Sequence, residues 1–201
     1  MSISHRLNKH FALAAVATAA VAATANASVV TWNANLVIPN TTDGLYINVQ
    51  TQVTGSAAGV VDGWDLNPYG ALTTTMSWFA AAEPTGCVTG LGQGGTTIAV
   101  ASLSAGTLVS SASTFGNTQS SVSRGGWMLN SANYFGFRFL GADALTHYGW
   151  GIMTIGATMG DRTLTEVSYE SDAATGITVA PAPGAIALLG LAGFATRRRR
   201  A

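Results

Sequence analysis

Oxygen-bearing side chains gather at one point in this chain. The stretch Asp62-Gly63-Trp64-Asp65-Leu66-Asn67 sets two carboxylates and an amide close together, with Asp43 on an earlier turn. Calcium takes six to eight oxygen ligands, and the loops of β-sandwiches often provide them, so Asp62, Asp65 and Asn67 are the calcium candidates. The EF-hand spacing is absent. Asp, Asn, Gly and Pro68 also favour turns for their own reasons, which is the competing explanation. Paired acids for glycoside hydrolysis stay open, because their separation in space is not visible in a sequence.

Other reactive residue types are sparse. A catalytic triad needs histidine as base, and His5 and His10 lie in an N-terminal leader, which leaves His147. His147 sits beside Tyr148-Gly149-Trp150 and reads as part of an aromatic strand end. No serine occupies a G-x-S-x-G elbow. Cys87 is the one cysteine, so no intrachain disulfide forms, and burial as a small apolar residue is expected. His147 and Cys87 alone cannot build a tetrahedral zinc site. Gly90-Leu91-Gly92-Gln93-Gly94-Gly95 spells G-x-G-x-x-G. The dinucleotide site needs a helix next and an acid about 20 residues on. Residues 96–100 are strand formers instead, and no acid lies between Glu83 and Asp143, so this is a glycine loop. No cofactor and no catalytic residue are expected.

The elements that must position these groups are strands. Runs at 29–32, 36–38, 45–49, 74–79, 96–100, 148–155, 163–169 and 176–179 carry strand formers between Gly, Asn and Asp breaks. Residues 134–139 show the clearest alternation, with Tyr134, Gly136 and Arg138 on one side and Phe135, Phe137 and Phe139 on the other. No window between 28 and 180 sustains a helical stripe. The expected fold is all-β: a single β-sandwich, jelly-roll-like. Residues 102–123 are rich in Ser, Thr, Gly and Ala, and read either as a long excursion or as poor edge strands. Trp32, Trp64, Trp78, Trp127 and Trp150 serve as core, or as an exposed platform for sugar rings.

The two ends carry targeting patterns. Arg6 and Lys9 precede a small apolar stretch at 11–23, then Ala25-Asn26-Ala27. This is a secretory signal peptide over residues 1–27, with cleavage between Ala27 and Ser28. At the other end Pro181-Ala182-Pro183-Gly184 breaks helix, residues 185–195 are apolar, and Arg197, Arg198, Arg199 and Arg200 follow. The run is shorter than the roughly 20 residues of a comfortable spanning helix, so it reads as a membrane stop held by its arginines. The body between, residues 28–180, suits one domain. It keeps nine acidic residues against Arg124, Arg138 and Arg162, a net charge of −6. With no basic stripe, a nucleic-acid partner is excluded.

Proline motif, short apolar helix and arginine cluster, in that order, resemble the PEP-CTERM sorting signal. Exosortase-type transpeptidases of Gram-negative bacteria recognise that signal. Pro181-Ala182-Pro183 stands where the family usually has Pro-Glu-Pro, so any contact made by that glutamate is missing. A second resemblance spans residues 134–170. Phe135-Gly136-Phe137-Arg138-Phe139, Thr146-His147-Tyr148-Gly149-Trp150 and Val167-Ser168-Tyr169-Glu170 are similar to a module frequent in PEP-CTERM proteins. These runs read as successive core strands, with Asp143-Ala144 turning between the first two. Glycines beside aromatics suit rings lying across bare backbone. Arg138 and Glu170 are expected to pair on one face.

The resemblance implies an exported protein, transiently anchored in the inner membrane through residues 181–201 and ending at the cell surface or in the extracellular matrix. Its implied partners are an exosortase-type transpeptidase and exopolysaccharide. A non-enzymatic surface or biofilm-matrix role follows. The alternatives are a carbohydrate-binding, lectin-like β-sandwich and, further off, a secreted hydrolase.

Overall fold

A computed structural model describes residues 28–91, 98–116, 118–122 and 126–180. They are all-β, with antiparallel sheets and one turn of 3-10 helix at Ala58–Val60. The strands are β1 Val29–Trp32, β2 Leu36–Val37, β3 Tyr46–Ile47, β4 Thr54–Gly55, β5 Leu66–Tyr69, β6 Met76–Ala80, β7 Gly86–Leu91 and β8 Ile98–Val100. After them come β9 Leu108–Val109, β10 Phe115–Gly116, β11 Thr118–Val122, β12 Ser131–Leu140, β13 Thr146–Ile155, β14 Arg162–Glu170 and β15 Ile177–Thr178. Among the described residues the larger sheet has eight strands. Its path is β1-β14-β13-β12-β7-β10, with β2 also on β14 and β8 on β7. A five-stranded sheet runs β11-β6-β5-β3-β4, and β9 and β15 form a two-stranded ribbon.

The alternation read in residues 134–139 is real. Phe135, Phe137 and Phe139 are fully buried in the main core, whereas Tyr134 packs in a second cluster on the opposite face. Residues 141–145 turn between β12 and β13, with Ala144 at φ 61° and Asp143 Oδ1 accepting the Leu145 N–H at 3.0 Å. In register, Phe137 faces Gly149 and Phe135 faces Gly151. Both rings fill the space those glycines leave open.

The two larger sheets meet through these rings. Trp78 on β6 and Phe135 on β12 lie 4.6 Å apart between centroids, and Ile47, Leu66 and Met76 join the same core. Burying side chains of this size contributes about 2 kcal/mol each. On the far face of β13, Tyr148, Trp150 and Ile152 pack with Val109, Ile177 and Val179 from the ribbon region. Strand β13 is thus covered on both faces, which is why 148–155 reads as a nearly continuous apolar run rather than an alternation.

Strand β14 holds a bulge. Ile152 opposes Glu166 while Met153 opposes Leu164, so Thr165 is the extra residue. The bulge puts Leu164, Val167 and Tyr169 in one core despite their uneven spacing. Arg162, at the start of this strand, is 1% exposed. Its guanidinium donates to the carbonyls of Gly70 at 2.7 Å, Pro39 at 3.0 Å and Met159 at 3.2 Å. Burial draws its pKa down to about 10, so it remains a cation at neutral pH.

Several expectations are corrected. Leu66–Tyr69 is a strand despite Pro68, whose carbonyl accepts the Leu45 N–H at 3.2 Å. Gly90 and Leu91 belong to β7. Of the two readings of 102–123, the described residues bear out the short edge strands: β9 pairs with β15, β10 with β7 and β11 with β6. Arg138 does not pair with Glu170, because β13 runs between their strands. Arg138 bonds Glu83 at 2.6 Å and lies 4.6 Å over the Phe115 ring.

Candidate functional site

Two turns and a hairpin build one cleft. After β3 the chain reverses, with the Asn48 N–H bonded to Val53 O at 2.9 Å and Gln52 at φ 61°. Asn48 fastens this turn to the next. Its Oδ1 accepts the Thr51 N–H at 2.8 Å, and its Nδ2 donates to Asp62 O at 3.0 Å and Gly63 O at 2.8 Å. The β12–β13 hairpin closes on the same place, where the Ala142 N–H donates to Gln50 Oε1 at 2.9 Å. The result is a cleft of about 550 Å³. Asn48, Gln50, Thr51, Asp62 and Asp65 give it polar walls, and Val53, Val60 and Leu140 give it an apolar rim.

Asp65 is the unusual group here. It is 4% exposed, and its Oδ2 accepts the Val49 N–H at 2.8 Å. Among the described residues its Oδ1 has no hydrogen-bond partner. Burial pushes the carboxyl up to about 7, against the pull of the Val49 N–H. Asp62 is exposed on the wall of the same cleft. Asn67 is not part of it. Its amide donates to Asp43 O at 2.8 Å and holds a different turn. The structure therefore unites two of the three calcium candidates and separates the third. Among the described residues no three His, Cys, Asp or Glu side chains come together as a metal cluster.

His147 is a fastening. It is 3% exposed, with Nδ1 at 3.0 Å from Glu170 O and Nε2 at 3.2 Å from both carboxylate oxygens of Asp143. Phe139 stacks on its ring at 5.4 Å between centroids. The ring ties the hairpin turn to β14. The Leu145 N–H, and then the His147 ring, hold the Asp143 carboxyl below its usual range. Cys87 is buried opposite Phe137, and burial pushes its thiol up to about 12. Strand β7 pairs directly with β8, so the glycine motif leads into a strand and not into a helix; residues 92–97 lie outside the described residues.

Trp78, Trp127 and Trp150 are core, and Trp32 packs at the core's edge. Trp64 differs. It is half-buried, 4.9 Å edge-to-face from Tyr46 and 5.5 Å from Phe79, which is 37% exposed. Tyr46 and Phe79 were not singled out as site residues in the sequence. The signal available was only that each is an aromatic in a strand run, because Phe79 is the one exposed position of β6 and no alternation marks it.

Comparison with known protein families, with curated proteins and with solved structures finds no match. Ala27, Pro181, Ala182, Pro183 and the arginines at 197–200 lie outside the described residues, whereas the Ser28 carbonyl accepts the Ser171 N–H at 3.0 Å. Among the described residues no helix is long and apolar enough to cross a membrane.

Proposed function

We propose that this chain is an exported, exosortase-sorted surface or extracellular-matrix protein of a Gram-negative bacterium, non-enzymatic and associated with exopolysaccharide. Residues 28–180 form one β-sandwich between a signal peptide and a sorting segment. The observation that carries this is the order Pro181-Ala182-Pro183, apolar run, four arginines, set opposite an export signal in the same chain. The Trp78–Phe135 contact supports a single sandwich, because it joins strands of the two larger sheets. The mass of the mature protein recovered from cells tests the proposal. A chain that starts at Ser28 and has lost its tail supports it. A chain beginning at Met1 in the membrane overturns it.

A second function is favoured by one feature. Trp64, Tyr46 and Phe79 gather partly exposed rings, as a carbohydrate-binding surface does. A glycan array with the parent and Trp64→Ala decides it. Binding that falls by about tenfold or more in the variant supports a lectin-like module. No bound glycan removes it.

A further inference from the structure

We propose that the cleft of Asp62 and Asp65 binds a saccharide unit carrying a free primary amine, with the ammonium seated on Asp65. Trp64 does not line this cleft, so the two sites are distinct. Four observations lead to it.

First, Asp65 is more than nine-tenths buried yet lines the cleft, and its Oδ1 is without a partner among the described residues. The Val49 N–H meets one oxygen of that carboxylate; the other opens to the cleft, where a cation would offset the cost of burying the charge. Second, among the described residues the cleft has acids and no base. Asp62 and Asp65 line it, and no described Arg, Lys or His does. Arg138 is taken by Glu83, and Arg162 by three carbonyls. Asp143 and His147, on the adjoining hairpin, bond to each other and do not line the cleft.

Third, the remaining oxygens are poor for a metal. Calcium wants six to eight, but Asn48 Oδ1 and Gln50 Oε1 already accept backbone N–H groups. Fourth, the rim fits carbon. Val53, Val60 and Leu140 are each about half exposed or more, suited to the C–H face of a sugar ring. Asp62 and Thr51 stand by for hydroxyls. A volume of about 550 Å³ takes one or two sugar units, and a bare lysine side chain would leave it largely empty.

The test is calorimetric titration of the purified full-length chain with glucosamine, N-acetylglucosamine, Nα-acetyl-lysine amide and calcium chloride. Glucosamine is expected to bind at pH 7.5, and N-acetylglucosamine at least about tenfold more weakly, because the charged hydrogen bond is lost. At pH 5.5, where Asp65 is protonated, glucosamine binding falls by about tenfold or more. Asp65→Asn keeps an acceptor for the Val49 N–H and loses affinity to the same extent, with an unchanged circular dichroism spectrum. If that variant fails to fold, the comparison of the two sugars and of the two pH values on the parent still decides. Equal affinity for both sugars, or no binding of glucosamine, overturns the proposal. So does tighter binding of the lysine amide, or calcium binding that is lost in Asp65→Asn.

Discussion

Phe135 lies across Gly151: the two are register partners on β12 and β13, and a β-carbon at Gly151 would come within 2.6 Å of the ring. On its other side that carbon would stand 3.0 Å from the Glu166 carbonyl, which is backbone and cannot swing away. Phe137 repeats the arrangement over Gly149 one step along the same pair of strands. Glycine is required here for lack of room, not for backbone freedom. Gly151→Ala is therefore expected to destabilise the fold by about 2 kcal/mol or more. In Phe135→Leu the ring is gone, so adding Gly151→Ala should cost clearly less than in the parent. Thermal unfolding of the four proteins checks this. Simple additivity contradicts the ring-on-glycine contact.

The protonation of Asp65 makes stability depend on pH in a stated direction. An ordinary Asp loses its proton near 3.8, and the folded chain holds this one up to about 7. Between those values the folded state binds the extra proton, so this group's contribution is full below about pH 4 and is lost as pH rises toward 7. Asp65→Asn removes the ionisation. It is expected to match the parent at pH 4 and to exceed it by roughly 4 kcal/mol at pH 8. Urea denaturation at both pH values measures the difference. A variant less stable than the parent at pH 8 contradicts the buried, unpaired carboxylate.

Much of the large sheet was legible because its periodicity is local. Residues 134–139 alternate, and the glycines of β13 stand opposite the rings of β12. Less was legible where partners are remote. Asp65 and Asn67 are two residues apart and alike in chemistry, yet their hydrogen bonds reach 16 and 24 positions away, to Val49 and Asp43. Those distant partners decide that one lines the cleft and the other does not. Arg162 was hidden in the same way. A charged residue at the start of a strand suggests exposure, but its three carbonyl acceptors come from Pro39, Gly70 and Met159. Strand β5 is obscured in the sequence because Pro68 signals a turn, and β9 to β11 read only as one of two alternatives because Gly, Ser and Ala between them dilute the strand formers.

Cys87 gives a test of core integrity. Its side chain is 1% exposed and its thiol is pushed up to about 12, so little thiolate forms at neutral pH. An aromatic disulfide reagent is expected to label the native protein at least about a hundredfold more slowly than the urea-unfolded chain. Rapid native labelling, or a covalent dimer on a non-reducing gel, contradicts its burial.

The central claim concerns sorting, and the prolines test it most directly. A plain anchor needs only apolar length and arginines, so Pro181→Ala with Pro183→Ala would change little or would lengthen the helix. A sorting signal needs an extended Pro-x-Pro backbone for an enzyme to grip. The decisive measurement is the mass and membrane location of the double variant in a host with an active exosortase. The account predicts an unprocessed precursor held in the inner membrane. Normal processing and release of the Pro181→Ala/Pro183→Ala chain would contradict it.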